Sequence, residues 1–138
     1  GKDNPELPNG CFRIDAYNSL HFKTPYNNFT TFWTVDKTYN DSVLETRVCI
    51  KEDYGSYYIP QSENEIALLV ARNVLDNKKR PMWNTKHKQR IEDLFPAIDT
   101  KILEDRISKL FPCSKKIVEL LYERKYESVM DYALGIKK

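Results

Sequence analysis

The period of the hydrophobic positions changes once along the chain, near Pro60. Before that point apolar and polar residues alternate, as in a strand with one buried face. Phe12, Ile14 and Ala16 alternate with Arg13 and Asp15, and Leu20 and Phe22 alternate with His21 and Lys23. Residues 29–38 set Phe29, Thr31, Trp33 and Val35 on one face. Residues 43–52 set Leu44, Thr46, Val48 and Ile50 against Glu45, Arg47, Cys49 and Lys51. Tyr39, Asn40, Asp41 and Ser42 have turn chemistry, which predicts an antiparallel hairpin between those two runs. A second turn, over residues 53–56, leads into a short strand at Tyr57, Tyr58 and Ile59. Residues 1–60 are therefore expected to form an antiparallel β-meander of four to five short strands.

After Pro60 the apolar residues recur at helical spacing. Ser62 and Glu65 have the spacing of a capping box. The helix they open carries Ile66, Ala67, Leu68, Leu69, Val70, Ala71, Val74 and Leu75. It is apolar nearly all round and is expected to be buried, against the inner face of the sheet. Three further helices are predicted. One runs over residues 85–95 with Ile91, Leu94 and Phe95, and Pro96 ends it. The next starts from Asp99 as N-cap and carries Leu103, Ile107 and Leu110. The last is expected to be capped by Ser114 and to run to Gly135, with Ile117, Val118, Leu120, Leu121, Tyr122, Val129, Tyr132 and Ala133; its polar middle, residues 123–127, is a candidate bend. The fold class is thus α+β: an N-terminal antiparallel meander with one buried helix, then a C-terminal three-helix bundle. One domain of 138 residues is expected, with residues 1–60 mainly β, 61–76 the buried helix and 77–138 a basic helical subdomain.

Charge adds to this picture. Residues 1–77 carry seven Lys or Arg against eleven Asp or Glu, whereas residues 78–138 carry fifteen against nine. Such asymmetry marks the helical part as a candidate face for an acidic partner. Cys11, Cys49 and Cys113 are far apart, odd in number and without CxxC spacing, which argues against a zinc ribbon or a disulfide framework. Free thiols in a reducing, intracellular compartment are expected, nucleus or cytoplasm. No apolar run approaches the ~18 residues of a membrane-spanning helix, and no signal peptide is recognisable, so no membrane partner is expected. Gly1, rather than Met, opens the sequence, so a segment of a larger protein is expected.

Two short motifs bear on function. Leu94, Phe95 and Pro96 end one helix, Leu120 and Leu121 lie together in a later one, and Asp99 opens the helix between them. Over residues 87–124 this resembles the CUE family of ubiquitin-binding three-helix modules, whose motifs are Met-Phe-Pro and Leu-Leu. Leu94 stands where that family commonly has Met. The resemblance implies that Phe95, Pro96, Leu120 and Leu121, with Leu94, form a small exposed apolar surface for ubiquitin or a similar partner. A few such anchors dominate a weak interface.

A second class of partner is nucleic acid. The two helices flanking residues 111–113 have helix-turn-helix spacing, with Lys115 and Lys116 at the start of the second. Lys78, Lys79, Arg80, Lys86, Lys88 and Arg90 are candidate phosphate contacts. Glu119, Glu123 and Glu127 on the same last helix oppose that reading.

Candidate catalytic chemistry is thin. Asp36, Glu45 and Arg47 are similar to the Asp, Glu and Lys that some nucleases place around Mg²⁺, but Arg stands where Lys is usual. His21 and His87 have no second ligand at metal-binding spacing and read as surface residues. Cys113 has no paired His, and Trp33 and Trp83 read as packing anchors. No catalytic residue, metal ligand or cofactor is expected. The sequence reads as a non-enzymatic protein-binding module whose partner is a ubiquitin-like protein, a subunit of the same complex or a second copy of the chain, with nucleic-acid binding as the alternative.

Overall fold

The computed structural model describes residues 12–14, 20–22, 30–32, 37–75 and 83–137, and the chain divides into two compact units, residues 1–61 and 62–138.

In the first unit, β1 (Phe12–Ile14), β2 (Leu20–Phe22) and β3 (Thr30–Phe32) pair antiparallel, Phe12 opposite Phe22 and Leu20 opposite Phe32. A separate two-stranded sheet joins β4 (Val48–Glu52) to β5 (Gly55–Ile59). Its register sets Val48 opposite Ile59 and Glu52 opposite Gly55, leaving Asp53 and Tyr54 as a two-residue turn. Gly55, at φ +138°, adopts a conformation that L side chains rarely reach.

Between the two sheets in sequence stands α1 (Lys37–Glu45), where an extended run and a hairpin turn are expected. A continuous meander of four to five strands is therefore not supported. Tyr39 and Val43, four residues apart, are both buried, which is one face of a helix. Side chains add hydrogen bonds along its C-terminal half. Ser42 Oγ donates to Tyr39 O at 2.8 Å, Thr46 Oγ1 to Ser42 O at 2.8 Å, and Arg47 Nη1 to Leu44 O at 2.7 Å. Ser42 O and Leu44 O also accept the backbone N–H groups of Thr46 and Arg47, at 3.2 and 3.4 Å, so the side chains add second bonds to carbonyls that the backbone already serves. The alternation at Leu44, Thr46, Val48 and Ile50 straddles a helix end and a strand start, and so short a window fits both periods.

Among the described residues of the second unit the elements are helical: α2 (Ser62–Leu75), α3 (Thr85–Leu94), a 3-10 turn (Phe95–Ala97), α4 (Thr100–Ser108), α5 (Ser114–Tyr122) and α6 (Tyr126–Ala133). The expected three-helix bundle after α2 is thus four helices. The break comes at Glu123, Arg124 and Lys125, where Arg124 takes φ +60°. Lys125 N donates to Leu120 O at 2.9 Å and Arg124 N to Leu121 O at 3.1 Å, the Schellman termination of a helix. Gly135 (φ +77°) ends α6 in the same way, Ile136 N donating to Asp131 O at 2.8 Å.

α2 is buried along most of its length, Arg72 being exposed, and within its unit it packs on α3 and α4. Glu65 does not act as the partner of Ser62 in a capping box; its carboxylate is held by the Arg90 fork of α3 at 2.6 and 3.0 Å. Near the other end of α2, Asn73 Oδ1 accepts from Asn84 N, just before α3, at 2.9 Å. These two ties run α2 and α3 antiparallel. Glu63 accepts from Asp99 N at 2.7 Å, fixing the start of α4 on the start of α2. Asn84 caps α3 by accepting from Lys86 N and His87 N at 2.9 and 3.1 Å, and Asp99 caps α4 by accepting from Lys101 N and Ile102 N at 2.9 and 3.3 Å. Ser114, the expected cap of α5, is its first helical residue instead; Cys113 precedes it in the left-handed region at φ +59°. The core is Ile66, Leu68 and Val70 of α2, Ile91 of α3, Leu103 and Ile107 of α4, Ile117 and Leu121 of α5 and Val129 of α6.

Candidate protein-binding surface

The residues of the two motifs fall on opposite sides of the core boundary. Leu94, Leu120 and Leu121 are interior, at 9%, 4% and 0% exposure. α5 packs against both α4 and α6, so its adjacent Ile117, Val118, Leu120 and Leu121 are consumed by internal packing. The two leucines are therefore not the surface anchors that the resemblance implies. Phe95 remains half-buried and Pro96 exposed.

What stands beside Phe95 is Tyr122, the last residue of α5. Their rings stack at 4.5 Å between centroids, only 16° from parallel. Tyr122 is 44% exposed, and its hydroxyl lies 2.9 Å from Thr100 Oγ1 at the start of α4. Three helix ends thus converge. α3 stops because Pro96 cannot supply a backbone donor and sits in the first turn of the 3-10 segment. Asp99 restarts the chain as α4, and α5 delivers Tyr122 alongside. The result is a flat aromatic face flanked by Pro96, with a hydroxyl pair at its edge. Tyr122 counts in sequence as one more apolar residue of the last helix; its exposure depends on the helix ending there, and no local pattern carries that.

The candidate phosphate contacts are dispersed. Lys78, Lys79 and Arg80 lie outside the described residues. Lys86 is exposed on α3. Lys88 Nζ sits 5.8 Å from the centre of the Tyr126 ring, and Arg90 is engaged by Glu65. Lys115 is exposed on α5, while Lys116 lies 3.9 Å from Glu119 and 5.8 Å from the Tyr132 ring centre. Several of these cations are thus partnered within the protein, and they sit on two different helices.

A cleft of about 310 Å³ opens beside Lys88, lined also by Arg124, Lys125, Tyr126, Glu127 and Ser128. Two of its three cations are in ion pairs, Arg124 with Glu92 at 3.1 Å and Lys125 with Glu123 at 3.0 Å. Tyr126 packs on Trp83 at 5.0 Å between ring centroids, and burial, then Glu92, raises its phenol pKa above the ordinary value. Trp83 is thereby an interior anchor; Trp33 lies outside the described residues.

The carboxylate candidates do not assemble. Asp36 lies outside the described residues, Glu45 closes α1, and Arg47 stacks over the Tyr58 ring at 4.6 Å. Cys49 and Cys113 are free thiols. His87 is not a simple surface residue: it is half-buried and hydrogen-bonded to Asn73. Among the described residues no group of three His, Cys, Asp or Glu is placed to hold a metal ion, and no helix is long and apolar enough to cross a membrane. Compared with known proteins, the chain matches no family model, no curated protein and no solved structure.

Proposed function

We propose that the helical unit is a non-enzymatic protein-binding module that works inside the cell, in the nucleus or cytoplasm. It docks through Phe95, Pro96 and Tyr122 onto a small apolar patch of a partner, with ubiquitin or a ubiquitin-like fold as first choice. The observation that carries this reading is the Phe95–Tyr122 stack, an aromatic pair left at the surface although the neighbouring Leu94, Leu120 and Leu121 are interior. Two stacked rings present a large apolar area with few rotatable bonds, so little side-chain entropy is lost on docking. The face is small, which suits a weak, transient complex. The dispersed and internally partnered lysines make nucleic acid the less favoured occupant.

The test is a titration of labelled ubiquitin and, separately, fluorescent duplex DNA at low and physiological salt. Ubiquitin binding that changes little with salt and falls at least tenfold in Tyr122→Ser and in Phe95→Ser supports the reading. Lys78→Glu combined with Lys79→Glu leaves that binding intact. DNA binding that falls steeply with salt, the mark of counterion release from phosphates, and that is lost in the same Lys→Glu pair, refutes it.

A further inference from the structure

Asn73, at the end of α2, makes three hydrogen bonds that leave its amide only one orientation. Oδ1 accepts from the backbone N–H of Asn84 at 2.9 Å. Nδ2 donates to Leu69 O at 2.8 Å and faces His87 Nδ1 at 2.9 Å. A backbone N–H can only donate and a carbonyl can only accept, so the amide cannot be flipped without losing both of those bonds. Nδ2 must then donate to His87, and Nδ1 must accept. That assigns the neutral imidazole with its proton on Nε2.

We propose that Asn73, Asn84 and His87 form a pH-operated latch: neutral His87 holds the start of α3 on the last turn of α2, and protonation of Nδ1 releases it. The reason is donor against donor. A proton taken from solvent onto Nδ1 sets an N–H facing an N–H at 2.9 Å, and the imidazole must turn away. The surrounding charges favour the neutral ring. Burial first, and then Arg72 on α2, hold the His87 pKa below its ordinary 6.5. Glu65, a carboxylate that α2 presents to α3, is already bound by Arg90, Lys86 and Lys88 flank His87 in sequence, and the 3-10 turn packed on α3 carries no titratable side chain. The Arg90–Glu65 tie and the Asn73 bond to Leu69 O survive release, so the outcome is a local weakening at the start of α3, where the Asn84 N–H bond to Asn73 Oδ1 loses the His87 contact that steadies the amide.

Because the folded pKa is lowered, the latch contributes its full stability above pH 6.5 and loses it as pH falls from there through the folded value. Long-range ¹H–¹⁵N NMR at pH 7.5 reads the tautomer directly, and the Asn84 amide protection factor between pH 7.5 and 5 reads the latch. Expected are an Nε2–H imidazole and a protection factor that falls at least tenfold with acid. In His87→Asn, an uncharged Oδ1 takes the place of Nδ1 and protection stays constant. A proton found on Nδ1 in the intact protein, or a pH dependence unchanged in His87→Asn, overturns the proposal.

Discussion

Two stretches of this chain, α1 with β4 in the first unit and α4 with α5 in the second, are held in opposite ways. α4 and α5 bury Leu103, Ile107, Ile117, Val118, Leu120 and Leu121, and Asp99 fixes where α4 begins. Among the described residues α1 and β4 bury Tyr39 and Val43, and the Ser42 and Thr46 hydroxyls and the Arg47 guanidinium reinforce the backbone bonds of α1. Val48 of β4 is 40% exposed. The lesson is that a helix with few buried residues depends on its backbone hydrogen bonds, whereas a packed one depends on its side-chain volume. Substitutions that attack volume and substitutions that attack the backbone should therefore separate the two regions.

The largest effect is expected at Leu121. Truncation to Ala in a fully buried site should cost about 2–5 kcal/mol, whereas Val48→Ala, at an exposed position, should stay within about 0.5 kcal/mol. Urea unfolding midpoints measure both, and equal losses would remove the distinction. Leu121→Asp consequently reports on folding and not on docking. Next is Asp41→Pro. Inside α1 it deletes a backbone donor and crowds the preceding turn, at a cost of about 3 kcal/mol or more. In a hairpin turn at residues 39–42 the same change would be mild, so a stability near that of the parent protein would restore the extended reading of residues 37–45.

Smaller effects sharpen the helical side. Asp99→Ala removes the acceptor of two α4 amides and should cost about 1 kcal/mol by thermal or urea unfolding. Arg124→Gly should instead stabilise by about 0.5–1 kcal/mol, because Arg is held in the left-handed region that Gly enters without steric cost. Loss of the exposed Glu92 pair takes little from that gain. A destabilised Arg124→Gly would show that the ion pair, not the backbone, governs the turn.

The helical unit is legible wherever a boundary has local chemistry. Asp99 and Pro96 mark α4 and the end of α3 through acceptors and missing donors within a few residues. The end of α5 is different, because the left-handed residue there is Arg124, while Gly135 gives the same turn an ordinary marker. Read without that break, residues 114–134 are one helix, and the apolar band at Leu120 and Leu121 has nothing to cover it. Once the chain turns at residues 123–125, α6 packs back onto α5; the leucines become core and Tyr122 is left at the rim. Which side chains of the two motifs are exposed was therefore decided by the turn at residues 123–125, which neither motif contains. In the first unit the alternation from Leu44 to Ile50 crosses an element boundary, and the helix is carried by the pair Tyr39 and Val43. The Asn73–His87 bond joins two helices across 14 positions, which no local period encodes.

The most direct test of the account is a ¹⁵N-NMR titration of the protein with unlabelled ubiquitin at physiological salt. The predicted result is fast-exchange shifts centred on the amides of Phe95, Ala97, Thr100 and Tyr122, absent in Tyr122→Ser, while the amides of the buried Leu120 and Leu121 keep their protection. No shifts at those four amides, together with duplex DNA moving Lys86 and Lys115 in a salt-dependent way, would contradict it and make the basic side of the helices the working face.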